Sequence, residues 1–139
     1  MPRFNTYLFF DGTCADAMRF YERTLGGKIT MSMTHAQSPM GAQASAANAN
    51  RIIHASLDFD GGTLMASDTM AGQPYEGMQN FALSLVYPTV AEAKRMFDAL
   101  GEGGKVTMPL SKTFFAESFG MLVDRFGTPW MVGGAMTPM

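Results

Sequence analysis

With 139 residues and one cysteine, the chain is long enough to bury one substantial core, too short for two independent ones, and unable to form an internal disulfide. A formal charge of -2, with 16% charged and 47% hydrophobic residues, gives no electrostatic ground for nucleic acid or an anionic membrane as partner. No apolar run approaches the ~20 residues of a membrane-spanning helix, and the start "MPRFNTYLFFDGT" lacks a long apolar segment with a cleavage site. A soluble, cytoplasmic protein is therefore expected.

In chain order, "NTYLFF" is a short aromatic and aliphatic run of strand character. Thr13 stands three residues before Asp16, a capping-box spacing that predicts a helix starting near Cys14. Cys14, Ala17, Met18, Tyr21 and Leu25 keep helical spacing, and Gly26-Gly27 provides the left-handed stop. Cys14 lies in that apolar stripe and reads as core filler. Three strand candidates follow: "GKITMSM", "RIIHASLDF" and "GTLMASD", the last two joined by a glycine turn at "DGG". The segment 34–50 is small and polar and reads as a mobile or partner-ordered loop, with His35 solvated. The segment 69–80, with its glycines and Pro74, reads as a link and a rim or lid.

The second half repeats the first. "FALSLVY" reads as a strand, Thr89 and Glu92 form the same box, and Val90, Ala93, Phe97 and Leu100 form the stripe, ended by Gly101. Strand candidates "GKVTMPL", "FGMLVD" and "PWMVGG" follow, with "DRFG" as the last turn. Ala15, Asp16, Ala17, Arg19 and Tyr21 return as Ala91, Glu92, Ala93, Arg95 and Phe97. Gly27, Lys28, Ile29, Thr30 and Met31 return as Gly104, Lys105, Val106, Thr107 and Met108. Each half therefore reads β-α-β-β-β. The chain is expected to be one domain, 1–139, an α+β protein built of module 1 (4–70) and module 2 (80–136).

Three segments, "DGTCADAMRFYERTLGGKI", "HASLDFDGGTLMASDTM" and "FGMLVDRFGTPWMV", resemble in this order the PhnB-like branch of the vicinal oxygen chelate superfamily, which includes glyoxalase I, bleomycin-resistance proteins and extradiol dioxygenases. The resemblance implies two tandem modules forming a half-open barrel with a ligand cavity, and a homodimer in which the segment 34–50 is a candidate contact. Members of the branch have often carried a ubiquinone methyltransferase label. This sequence has no G-x-G-x-x-G loop after a strand, so that label is not expected to describe its chemistry.

Metal-dependent members of the superfamily place His or Glu on the first and last strands of each module. The matching positions here hold Thr6, Ala66, Ala82 and Met131, and two histidines cannot rebuild such a site. No metal ligand is assigned and no cofactor is expected, although weak divalent-metal binding stays open. Strand alternation in "IIHASLDF" puts Ile53, Ala55, Leu57 and Phe59 on one face and His54, Ser56 and Asp58 on the other. His54 and Asp68 are the candidate acid–base or weak metal-binding pair, against the alternative of a hydrogen-bonded strand histidine and a strand-end aspartate. Thr6, Ser56, Ser84, Phe114, Phe115, Trp130 and Met131 are the candidate ligand-binding residues, with Lys112 and Glu117 as rim charges. Several of the 14 methionines fall in strands, where they fill cores or line adaptable cavities. The functional expectation is a small-molecule-binding protein. The alternatives are an enzyme of the same superfamily using a noncanonical metal or a His/Asp site, and a purely structural protein.

Overall fold

The computed structural model describes residues 2–138. The chain divides into two compact units, with the boundary between Glu76 and Gly77. The N-terminal unit contains β1 (Thr6–Phe10), α1 (Cys14–Leu25), β2 (Lys28–Thr34), β3 (Ile52–Phe59) and β4 (Gly62–Asp68). The C-terminal unit contains β5 (Leu83–Tyr87), α2 (Val90–Gly101), β6 (Lys105–Ser111), β7 (Ala116–Val123) and β8 (Pro129–Met136). The expected βαβββ order is present in both units.

Each unit is one four-stranded mixed sheet with one helix. The orders are β1-β4-β3-β2 and β5-β8-β7-β6. In each, the first strand pairs in parallel with the last, and the other neighbours are antiparallel. Helix α1 packs on β2, β3 and β4, and α2 on β5 to β8. Apolar side chains on one sheet face are buried against the helix. Leu8, Phe10, Ala55, Leu57, Leu64 and Ala66 are buried along with Ala17, Met18 and Tyr21 in the first unit, and Leu122, Trp130 and Val132 along with Ala93, Phe97 and Leu100 in the second.

The repeated glycines have a packing reason. A Cβ on Gly27 would stand 2.7 Å from the Asp58 carbonyl oxygen, and one on Gly104 would stand 2.3 Å from that of Val123. In both units the chain leaving the helix passes too close to the neighbouring strand for any larger residue. The β3–β4 turn places Asp60 at φ 45° and Gly61 at φ 75°, the pair of left-handed residues that a tight hairpin requires.

Local details depart from expectation. Thr89 caps α2 as its box predicts, its hydroxyl accepting from the Glu92 N–H at 3.2 Å. Thr13 makes no side-chain cap on α1: at ψ 7° it lacks the extended backbone that Thr89 has at ψ 154°, and Asp16 pairs with Arg19 instead. Gly101 is the last residue of α2 rather than its left-handed stop, and Val90 at its start is exposed. The segment 34–50, expected as a mobile or partner-ordered loop, is tied by hydrogen bonds within its own unit. His35 and Ala36 donate to the carbonyls of Arg51 and Ala49, Gly41–Gln43 forms a 3₁₀ turn, and the Asn48 side chain accepts from Ala71.

Candidate functional site

The two faces of the N-terminal sheet differ in chemistry. Register and side-chain alternation place Tyr7, Met65, Ser56 and Met31 in one row across β1, β4, β3 and β2 on the face away from α1. Phe9, Ser67, His54 and Met33 form the next row on that face. In "NTYLFF" apolar residues occur on both faces, so alternation alone could not say which pointed where. The structure buries Leu8 and Phe10 and leaves Tyr7 36% and Phe9 55% exposed. Such exposure of large aromatic side chains on a strand is unusual for a face that only fills a core.

His54 is the one titratable imidazole among these eight residues. Its Nδ1 lies 3.0 Å from the Tyr7 hydroxyl oxygen, and the two rings stack with centroids 5.6 Å apart. Because β4 lies between β1 and β3, this bridge passes over β4, where Ser67 is buried. The Phe9 ring lies 5.1 Å from that of Tyr7 and extends the aromatic surface. Thioethers of Met31, Met33 and Met65 complete the two rows.

The structure does not bring Asp68 to His54. Asp68 shares its face with Leu8-side core positions, is 7% exposed, and has both carboxylate oxygens engaged by backbone N–H groups. One oxygen accepts from Gly12 at 2.8 Å and Cys14 at 3.0 Å, and the other from Ile52 at 2.8 Å. A carboxylate at the start of α1 supplies the cap that Thr13 does not, and favours the helix dipole. Burial first, and then the Asp68 charge, push the Cys14 thiol up to about 12, so Cys14 is held as a neutral core side chain.

The other candidates separate by face. Ser56 is on the same face as His54. Thr6 and Ala66 have the helix-facing parity of Leu8 and Leu64, so neither stands where a ligand-facing residue would. In the second unit Ser84 pairs with Met131, and Met131 with Met121, on the face away from α2. Trp130 is 2% exposed in the helix-facing core, and its indole N–H donates to Asp124 at 2.8 Å. The same aspartate accepts from Phe126 and Thr128, so it knits the β7–β8 turn as Asp68 knits the start of α1. Phe114 and Phe115 lie in the β6–β7 connection, Phe114 84% exposed, with Phe115 edge-on to Phe119. Ala82 precedes β5, and Lys112 and Glu117 form an exposed pair at 3.7 Å. His35 lines a separate cavity of about 310 Å³ with Met40, Asn48 and Met70.

Sequence reasoning missed Tyr7 and Phe9. The available signal was their alternation with Leu8 and Phe10, but only the pairing with β4 distinguishes the two sets. Of the four positions matched to the superfamily's metal ligands, Thr6 and Ala66 lie on the helix-facing side of the sheet, and Ala82 and Met131 carry a methyl and a thioether. Among the described residues no group of three or more His, Cys, Asp or Glu side chains converges.

A family model described as the Glyoxalase/Bleomycin resistance protein/Dioxygenase superfamily matches residues 3–132. The chain is 38% identical over 136 residues to protein YjdN of Escherichia coli (strain K12), covering 91% of this chain and 90% of YjdN. It is similar to the crystal structure of protein PA1353 from Pseudomonas aeruginosa, with 42% identity, a TM-score of 0.88, and coverage of 96% and 98% of the two chains. A PhnB protein from Bacillus cereus, bearing a 3-demethylubiquinone-9 3-methyltransferase label, shares the fold at 24% identity and a TM-score of 0.81 over 96% of this chain and 100% of that one. With its paired βαβββ units and a family match across nearly its whole length, the chain belongs to the glyoxalase/bleomycin resistance/dioxygenase superfamily.

Proposed function

We propose that this protein binds a small, flat aromatic or amphipathic molecule on the helix-free face of its N-terminal sheet. The observation that carries this reading is the two-row surface of Tyr7, Phe9, His54, Met31, Met33 and Met65. Its aromatic rings and thioethers occupy two rows that hold no lysine, arginine or carboxylate, the next row along β3 carrying Asp58 beside Lys28 and Thr63. Aromatic rings offer a stacking surface, and thioethers adapt to irregular ligand edges. In the second unit, Ser84, Met121 and Met131 offer a smaller surface of similar chemistry. A homodimer in the cytoplasm belongs to the same reading. Among the described residues no helix is long and apolar enough to cross a membrane.

The direct test is NMR of protein carrying ¹³C-methyl methionine, titrated with naphthalene derivatives. The Met31, Met33 and Met65 methyl signals are expected to shift together while that of buried Met18 stays in place. An unchanged set of three signals across the titration would overturn the proposal. The competing enzyme reading rests on His54 as acid or base, with Tyr7 as its hydrogen-bond partner in place of Asp68. It predicts turnover that disappears in His54→Ala.

A further inference from the structure

Resting on that binding reading, the Tyr7–His54 pair also restricts the chemistry of the ligand. Two hydrogens are available to a neutral imidazole and a phenol together: one ring N–H and one O–H. Their mutual hydrogen bond, 3.0 Å between Oη and Nδ1, consumes one of them. If the Tyr7 hydroxyl donates to Nδ1, the Nε2–H of His54 is left without a partner. If Nδ1–H donates to the Tyr7 oxygen, the Tyr7 O–H is left instead. Protonating the imidazole adds a second unused donor. As long as the phenol keeps its proton, therefore, the pair keeps at least one unused donor in either tautomer, with the imidazole neutral or protonated.

We infer that the ligand carries an oxygen acceptor, a carbonyl above all, on an uncharged planar body. An acceptor is satisfied in all the states just counted, and burying an unused donor under a ligand without one would cost a lost hydrogen bond. The surrounding side chains define the rest of the molecule. Phe9 and the Tyr7 ring provide flat apolar surface, Met31, Met33 and Met65 stand in the same two rows, and Ser56 and Ser67 are the further polar groups of those rows. No fixed charge stands in either row to balance an ionised ligand. A neutral aryl ketone, ester or amide fits, and an aryl carboxylate fits less well.

The test compares three probes of nearly one shape: 2-acetylnaphthalene, its hydrocarbon isostere 2-isopropenylnaphthalene, and 2-naphthoate. Affinity and methionine methyl shifts are measured for the full chain. The ketone is expected to bind about 10-fold tighter than the hydrocarbon, the factor that one net hydrogen bond supplies. In the Tyr7→Phe/His54→Phe double variant that preference is expected to fall below about 2-fold. The single variants Tyr7→Phe and His54→Gln, each disturbing the pair by one group, keep the test available if the double variant does not fold. Equal binding of ketone and hydrocarbon, with the Met31, Met33 and Met65 methyls shifting for both, would overturn the inference and leave the binding proposal standing. Tighter binding of 2-naphthoate than of the ketone would overturn the uncharged class. Absence of methyl shifts with all three probes would overturn the inference and the binding proposal together.

Discussion

Asp68 and His54 lie close in sequence terms, at the end and the beginning of one hairpin, yet their environments assign them opposite work. Asp68 is buried and accepts from three backbone N–H groups, whereas His54 is half-buried and bonds to an exposed tyrosine. Asp68→Asn replaces one acceptor oxygen by a donor that faces an N–H. It is expected to lower stability by at least about 2 kcal/mol in urea unfolding. His54→Ala is expected to cost less than about 1 kcal/mol while changing ligand binding. Cys14 makes a second residue-level prediction. Its thiol is held protonated up to about 12, against an ordinary 9.0, so between those values the folded chain binds more protons than the unfolded one. The resulting stability is complete below pH 9.0 and is lost as pH rises toward 12. Cys14→Ala should show a shallower alkaline fall in stability than the parent, measured as the slope of unfolding free energy against pH.

The two helices show how the same local sequence device is used once and replaced once. Thr89 satisfies the Glu92 N–H, whereas Thr13 caps nothing and Asp68, from the far end of β4, accepts from Cys14 instead. Thr89→Ala is therefore expected to lower the unfolding free energy by about 1 kcal/mol, and Thr13→Ala by less than about 0.5. Chemical denaturation of the two variants side by side measures the difference. An equal loss in both would mean that Thr13 contributes through its hydroxyl after all. The box spacing was legible at both helices because it is local. Its failure at α1 was not, since the competing acceptor arrives through β-sheet pairing.

At the scale of the whole chain, duplication accounts for the matching sheets and for the glycines at Gly27 and Gly104, where backbone passes within reach of backbone. Each sheet buries one face under its own helix, so the proposed ligand binding is assigned to the other face. The proposed homodimer makes a plain prediction: light scattering after size-exclusion chromatography should give a mass near twice 15.1 kDa at micromolar concentration. A mass of one chain across the concentration range would exclude it.

Element order, the repeat and the superfamily were legible in the sequence because hydrophobic period, capping residues and turn glycines are local and occur twice. The alternation of His54 and Ser56 against Ala55 and Leu57 was legible for the same reason. Tertiary structure decided what depends on partners distant in the chain. Pairing of β1 with β4 set Tyr7 and Phe9 on the helix-free face and turned Thr6 toward the helix side. Burial drew Asp68 and Trp130 into the core, because a buried carboxylate and a buried indole N–H must find hydrogen-bond partners there. The Tyr7–His54 bridge was decided in the same way: its two side chains meet only when β4 is laid between their strands.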